Sequence, residues 1–113
     1  MLDLGCHDRS SVDYPDYADA VAKAIGDKKA ARAVLVCGSG IGISIAANRY
    51  PHIRAALVDN RLSAELSRQH NNANIIVFGG RVIGEDIAKD CLNAFLTTEF
   101  EGGRHQGRID KMS

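Results

Sequence analysis

The sequence has no excess charge of either sign, no long hydrophobic run and few cysteines. Its 14 lysines and arginines are matched by 14 aspartates and glutamates, so the formal net charge is zero at pH 7. A balanced chain has no general attraction for nucleic acid or for an anionic membrane surface. No apolar segment approaches the roughly 18 to 20 residues that span a bilayer, and the N-terminus lacks the features of a signal peptide. We therefore expect a cytoplasmic protein that binds neither nucleic acid nor membranes.

The three cysteines, Cys6, Cys37 and Cys91, are widely and irregularly spaced. No CxxC pair or Cys/His cluster has the spacing of a zinc site, so we expect no bound metal. A lone cysteine in a cytosolic domain is usually a small buried hydrophobic residue. Cys91 fits that description because its neighbours have helical spacing, and Cys6 is predicted to lie in a loop. Cys37 differs from both, because it stands at the end of a strand-like run.

A length of 113 residues is enough for one domain with a single core. Short apolar runs alternate with longer amphipathic stretches, which is the pattern of parallel βαβ units and predicts the α/β class. The runs do not alternate strictly between apolar and polar residues, which predicts strands covered on both faces. The predicted strands are residues 33–37, 53–58 and 74–78, with the end of a further strand at 2–5. The predicted helices are residues 17–25, 42–48, 63–70 and 87–96.

The run that ends at Cys37 leads directly into the glycine-rich segment 38–42 and then into a predicted helix. Alternate glycines allow positive φ and bring amide groups close to a ligand, and the helix N-terminus favours an anion. The segment is neither a P-loop nor a dinucleotide fingerprint, because it lacks the lysine of the first and has Ile43 where the second needs glycine. A thiol at the carboxyl end of a strand and the start of a helix can act as a base or nucleophile.

Polar residues that suit acid–base chemistry and phosphate binding lie further along the chain. His70 could exchange protons near neutral pH, although a loop histidine is more often a surface residue and the nearby asparagines also fit an ordinary turn. Arg81, Arg104 and Arg108 could bind phosphate oxygens, although each could equally be solvated. From composition alone, the polar segment after Thr97 is predicted to be a frayed terminus.

Five segments of the chain together resemble ribose-5-phosphate isomerase type B and its relatives that act on galactose 6-phosphate or allose 6-phosphate. The segments stand in order at residues 13–18, 37–48, 66–71, 78–81 and 100–106. The resemblance implies a three-layer, doubly wound (Rossmann-like) parallel sheet in residues 1–98 and a C-terminal arm in residues 99–113. It reverses the prediction of a frayed terminus, because the arm is expected to reach a partner subunit.

The resemblance also implies a metal-free and cofactor-free interconversion of ribose 5-phosphate and ribulose 5-phosphate. Cys37 would be the base that moves a proton through an enediolate, since Ile43 occupies the position where other members carry a glutamate. Ser39 would assist through its hydroxyl, and His70 with Asn71 would open the sugar ring and bind its hydroxyls. The loop residues expected to hold the enediolate oxygens are Gly38, Gly40, Ile41 and Gly42. The phosphate ligands would be Arg81, Arg104 and Arg108.

Relative to the family, the chain is expected to lack the first βα unit, of about 30 to 40 residues, which carries an Asp-His pair. His7 and Asp8 stand in the wrong element and order to replace that pair. The partner implied by the resemblance is a second copy, in a homodimer or homotetramer that shares its sites between subunits. The chain could instead be a subunit of a heteromeric galactose-6-phosphate isomerase, or a sugar-phosphate binding module without turnover.

Overall fold

The structure is a computed structural model that describes residues 14–112. The expectations for residues 2–5, Cys6 and the His7-Asp8 pair lie outside the described residues. The helices are α1 (Tyr14–Gly26), α2 (Ile41–Ala47), α3 (Arg61–Gln69), α4 (Glu85–Thr97) and α5 (Arg104–Met112), and the strands are β1 (Ala33–Cys37), β2 (Ala55–Leu57) and β3 (Ile75–Gly79). The predicted strands and the first four helices are confirmed, but β2 has only three of the six residues expected for it.

The three strands form a parallel sheet in the order β1-β3-β2. Ala33 pairs with Ile75 at the start of β1 and Cys37 pairs with Gly79 at its end, while Leu57 pairs with Val77. Because β3 lies between the other two strands, all five of its residues are buried. Chain order and spatial order therefore differ, as they do in doubly wound sheets.

Helices cover both faces of β3, so the predicted three-layer architecture is confirmed. Ile75 and Val77 belong to one core, formed with α1 and α2, and Ile76 and Phe78 belong to a second core, formed with α3 and α4. The opposite directions of neighbouring side chains follow from the two-residue period of a strand. Cys91 lies in the second core with no exposed surface, as predicted, and burial raises the pKa of its thiol.

The expectation that every strand is covered on both faces is wrong for β1. Leu35 is buried, but Val34 and Val36 on the other side of the strand are 42% and 61% exposed. The reason is that α3 and α4 pack on β2 and β3, and no residue of β1 belongs to the second core. Within residues 14–112, β1 also has β3 as its single neighbour, so it is an edge strand on the side away from β3.

The polar C-terminal segment forms a helix rather than a frayed end. Gly102 and Gly103 have φ of 72° and 59°, and this left-handed backbone turns the chain before α5 begins. His105 and Ile109 lie four residues apart on α5 and are both buried. None of the helices in residues 14–112 combines the length and apolar character needed to cross a membrane.

Candidate active site

The loop after β1 requires glycine at its centre. Gly40 has φ of 79° and immediately precedes α2. A Cβ atom at Gly40 would lie 2.6 Å from Cδ1 of Leu57 and 3.1 Å from the main-chain nitrogen of Gly79. Any side chain here would therefore clash with these atoms and also require an unfavourable backbone conformation. The hydroxyl of Ser39 accepts a hydrogen bond from the Ile41 amide at 3.2 Å. This contact satisfies one of the amides at the start of the helix.

A second loop, after β3, holds the first one in place. The amide of Gly80 donates to the carbonyl of Cys37 at 2.8 Å, and the amide of Arg81 donates to the carbonyl of Gly38 at 2.9 Å. The two loops approach so closely that a Cβ atom at Gly79 would lie 2.5 Å from the carbonyl oxygen of Ser39. Sequence reasoning assigned no role to Gly79, and only the parallel pairing of β1 with β3 explains its need for glycine.

These two loops bring Cys37, Ser39 and Arg81 together at the carboxyl edge of the sheet. The thiol of Cys37 is free and half-buried. The Arg81 side chain lies over Gly38, where a Cβ atom would be 3.5 Å from its Nε. Within residues 14–112, the amides of Ser39 and Gly40 donate to no acceptor. A thiol, unpaired amide donors and a guanidinium group thus share one edge of the sheet, and we refer to residues 37–42 with Arg81 as the thiol half-site.

A second group of predicted residues lies around the end of α3. His70 follows the last turn of α3, and its ring stacks on the ring of His105 with centroids 4.3 Å apart and planes 17° apart. The amide of Glu101 donates to the carbonyl of Gln69 at 3.1 Å, which attaches the start of the arm to α3. Asn71, Arg104 and Arg108 are exposed beside this stack. We refer to His70, Asn71, Arg104 and Arg108 as the arginine half-site.

The topology places the two half-sites at opposite ends of the strands, one at the carboxyl edge of the sheet and the other at its amino edge. Cys37 is the last residue of β1, and α3 runs back from the carboxyl edge to the amino edge before β3 begins. His70 therefore lies near Ile75, which pairs with Ala33 at the first position of β1. At about 3.3 Å per residue, Ala33 and Cys37 are about 13 Å apart along the strand. The structure does not bring His70 and Cys37 together within one chain.

The three arginines predicted to bind phosphate differ from the other arginines of the described chain. Within residues 14–112, the side chains of Arg81, Arg104 and Arg108 form no hydrogen bond or ion pair. The remaining arginines there all donate to carboxylate or carbonyl oxygens, and they are Arg32, Arg49, Arg54, Arg61 and Arg68. Guanidinium groups without a protein partner retain their donors for a ligand.

His105 and Glu101 were not among the predicted site residues, although Glu101, His105 and Ile109 follow the four-residue spacing of a helix face. Atom Nε2 of His105 lies 3.9 Å from Oε1 of Glu101. The pKa of His105 is lowered by burial and, to a lesser extent, by His70, Arg104 and Arg108, while Glu101 opposes the shift. His105 is therefore predominantly neutral at pH 7.

The same residues form the group that could hold a metal ion. One ligand atom each from His70, Glu101 and His105 lie within 4.8 Å of one another. However, rings stacked 17° from parallel with centroids 4.3 Å apart hold their in-plane lone pairs in two separate, nearly parallel planes rather than directing them towards one point. One ring would have to turn before both could bind a single ion, so the observed arrangement favours contact between the rings.

Comparison with known proteins identifies the family of the chain. A family model described as Ribose/Galactose Isomerase matches residues 1–112. The ribose-5-phosphate isomerase B of Escherichia coli is 43% identical over 113 residues, covering 100% of this chain and 76% of the relative. The D-erythrulose-4-phosphate isomerase of Pectobacterium atrosepticum is 46% identical over 99 residues, covering 88% of this chain and 65% of the relative. The crystal structure of a ribose 5-phosphate isomerase from Thermotoga maritima has a TM-score of 0.97 and 50% identity, covering 98% of this chain and 77% of that chain.

The parallel α/β sheet, with its glycine loop at the carboxyl edge, has the arrangement in which open α/β folds commonly bind small anionic ligands. The similarity to known proteins identifies a family within this class. The chain belongs to the ribose/galactose isomerase family, whose members include ribose-5-phosphate isomerase B, and it is a sugar-phosphate isomerase. The family predicted from the ordered segments is confirmed.

Proposed function

We propose that the protein interconverts ribose 5-phosphate and ribulose 5-phosphate with Cys37 as the catalytic base. The observation that carries this proposal is the arrangement of the thiol half-site. The half-buried Cys37 ends β1, and the amides of Ser39 and Gly40 in the loop that follows have no acceptor within residues 14–112. The Arg81 side chain lies over Gly38, the residue after the thiol. A base next to amide donors that can stabilise an oxyanion is what proton transfer adjacent to a carbonyl requires.

The reaction moves one proton between two neighbouring carbons. In the aldose, the thiolate of Cys37 takes the proton from C2, and the C–H electron pair forms the C1–C2 double bond of an enediolate. The amides of the loop stabilise the negative oxygen of this intermediate. Return of the proton to C1, with transfer of the hydroxyl proton from O2 to O1, leaves the carbonyl at C2. Ser39 assists through its hydroxyl, and no redox partner is needed because the two sugars are isomers.

We propose further that each active site is formed by two copies of the chain. His70 and Asn71 would open the sugar ring, and Arg104 and Arg108 would bind the phosphate together with Arg81. In one chain Arg81 lies in the thiol half-site, whereas the arginine half-site lies at the edge of the sheet opposite to Cys37. A second copy, in a homodimer or homotetramer, would place its arginine half-site against the thiol half-site of the first. The arm of residues 99–113 would then reach the partner, as the sequence resemblance implies.

The test of Cys37 separates binding from chemistry. We expect Cys37→Ala to reduce the isomerisation of ribose 5-phosphate to background, because the base is removed, while ribose 5-phosphate binding stays measurable by calorimetry. Cys91→Ala is the matched control, because Cys91 is buried in the second core, whereas Cys37 packs against the first. This control should lower thermal stability and retain turnover. Persistent turnover by the Cys37→Ala variant would remove the assignment of Cys37 as the base.

A second candidate substrate class has support in one relative. The isomerase from Pectobacterium atrosepticum, at 46% identity, is named for D-erythrulose 4-phosphate, so the same fold accommodates sugars of another length in a relative. A heteromeric isomerase of galactose 6-phosphate or allose 6-phosphate and a binding module without turnover are two further candidates. Assay of the purified protein against four-, five- and six-carbon aldose phosphates distinguishes them. The highest kcat/KM identifies the substrate, and binding without turnover identifies a binding module.

A further inference from the structure

The stacked pair of His70 and His105 is a feature that the proposed chemistry does not explain. Within residues 14–112, the side chain of His70 has no hydrogen bond, and its only ring contact is with His105. His70 is half-buried at the end of α3, where its main-chain amide donates to the carbonyl of Leu66 at 2.9 Å. The backbone of His70 is thus held by α3, while its ring is held by the arm.

Of the two rings, His105 is the one that its surroundings hold in place. It lies within α5 and is only 8% exposed, and the chain just before α5 is attached to α3 by the Glu101 amide. A buried ring on a helix has few rotamers available, whereas a half-exposed ring after a helix end has more. Contact between the flat faces of two rings restrains the second ring in both its plane and its position.

We propose that His105 is a positioning residue that fixes the plane of the His70 imidazole facing the sugar phosphate. This inference rests on the proposed function, in which His70 acts on the sugar ring. The arm then has two separate tasks, because Arg104 and Arg108 bind the phosphate while His105 between them orients the neighbouring acid–base group.

The charges around the pair are consistent with this role. The groups that face His105 are His70 at the end of α3, Glu101 before α5, and Arg104 and Arg108 on α5 itself. Two protonated rings in face-to-face contact would repel each other. Because the pKa of His105 is lowered, chiefly by burial, His105 is predominantly neutral at pH 7 and places no positive charge against the His70 ring.

The test compares two replacements of His105 with a control on the same helix. His105→Ala removes the ring, and we expect kcat for ribose 5-phosphate to fall about tenfold or more with KM within about threefold, because the reacting group loses its alignment. His105→Phe retains a flat ring without charge and should keep kcat within about threefold of the native value. Gln106→Ala, at the exposed neighbouring position, should leave both constants unchanged.

The NMR signal of the His70 ring provides a readout that reports directly on the contact with His105. In the native protein the neighbouring His105 ring should shift the His70 ring resonances, and this shift should persist in His105→Phe and disappear in His105→Ala. The inference is overturned if His105→Ala keeps kcat within about twofold of the native value, or if it changes only KM. It is also overturned if His105→Phe lowers kcat as much as His105→Ala does. The NMR measurement needs no turnover, so a native protein inactive on ribose 5-phosphate would refute the proposed function while the ring contact is still tested.

Discussion

Gly40 is the residue on which the shape of the thiol half-site depends most directly. Its role could be predicted from the sequence, because glycines at alternate positions after a strand indicate a loop with positive φ and close backbone approach. Gly79 shows the limit of this reasoning. It contacts Ser39, forty residues earlier in the chain, and only the pairing of β1 with β3 brings the two together. His105 was missed for the same reason, because its partner His70 lies in another element.

The requirement for glycine at position 40 can be measured. We expect Gly40→Ala to lower the free energy of unfolding by about 1 to 3 kcal/mol, because it forces a non-glycine residue into the left-handed region, and to abolish turnover by displacing the loop amides. Gly84→Ala is the matched control, since a Cβ atom there meets nothing within 4 Å and Gly84 has φ of −82°. Chemical denaturation and an isomerase assay check both variants. Equal stability of the two would show that the loop tolerates a side chain.

The elements of secondary structure were predicted with uneven success. Strands β1 and β3 and helices α1 to α4 were recognised because their apolar residues follow the periods of a strand or a helix. Helix α5 was not, because its composition is polar and a nine-residue helix is marginal without tertiary contacts. The burial of His105 and Ile109 supplies those contacts. Strand β2 was predicted too long, because Ile53 and Val58 are buried core residues that lie outside the paired segment.

The charges on α5 give a prediction at the level of this element. We expect Arg104→Ala to raise KM for ribose 5-phosphate by about tenfold or more, because a bidentate guanidinium–phosphate contact is lost, with a smaller effect on kcat. Lys111→Ala removes one positive charge from the exposed last turn of the same helix and should change KM by less than about twofold. Steady-state kinetics of the two variants provide the comparison. An equal change in KM would mean that overall charge, rather than Arg104, attracts the substrate.

At the level of the whole molecule, the two half-sites lie on opposite edges of one sheet. This separation follows from the βα connections, because every helix that follows a parallel strand returns the chain to the amino edge. Residues at the carboxyl end of β1 and at the end of α3 must then lie about a strand length apart. The exposed side of β1, with Val34 and Val36, is a further surface that residues 14–112 leave open.

A site shared by two copies predicts that two inactive variants restore activity together. Co-expression of Cys37→Ala with His70→Ala should recover about a quarter of native activity, because half of randomly paired dimers are mixed and each mixed dimer has one intact site. Co-expression of Cys37→Ala with Arg81→Ala should recover none, since both changes fall in the same half-site. Recovery is measured as the specific activity of the co-expressed, purified protein. No recovery in the first pair would place the whole site within one chain.

The sequence by itself determined the α/β class, the residues of the loop after β1 and the family, because periodicity, glycine spacing and ordered motifs are local properties of the chain. The tertiary structure decided which of the candidate residues are neighbours. It joined Gly79 to Ser39 and His105 to His70, and it separated His70 from Cys37. These relations depend on strand order and on the direction of each helix across the sheet, and contacts between residues far apart in the chain leave no local pattern.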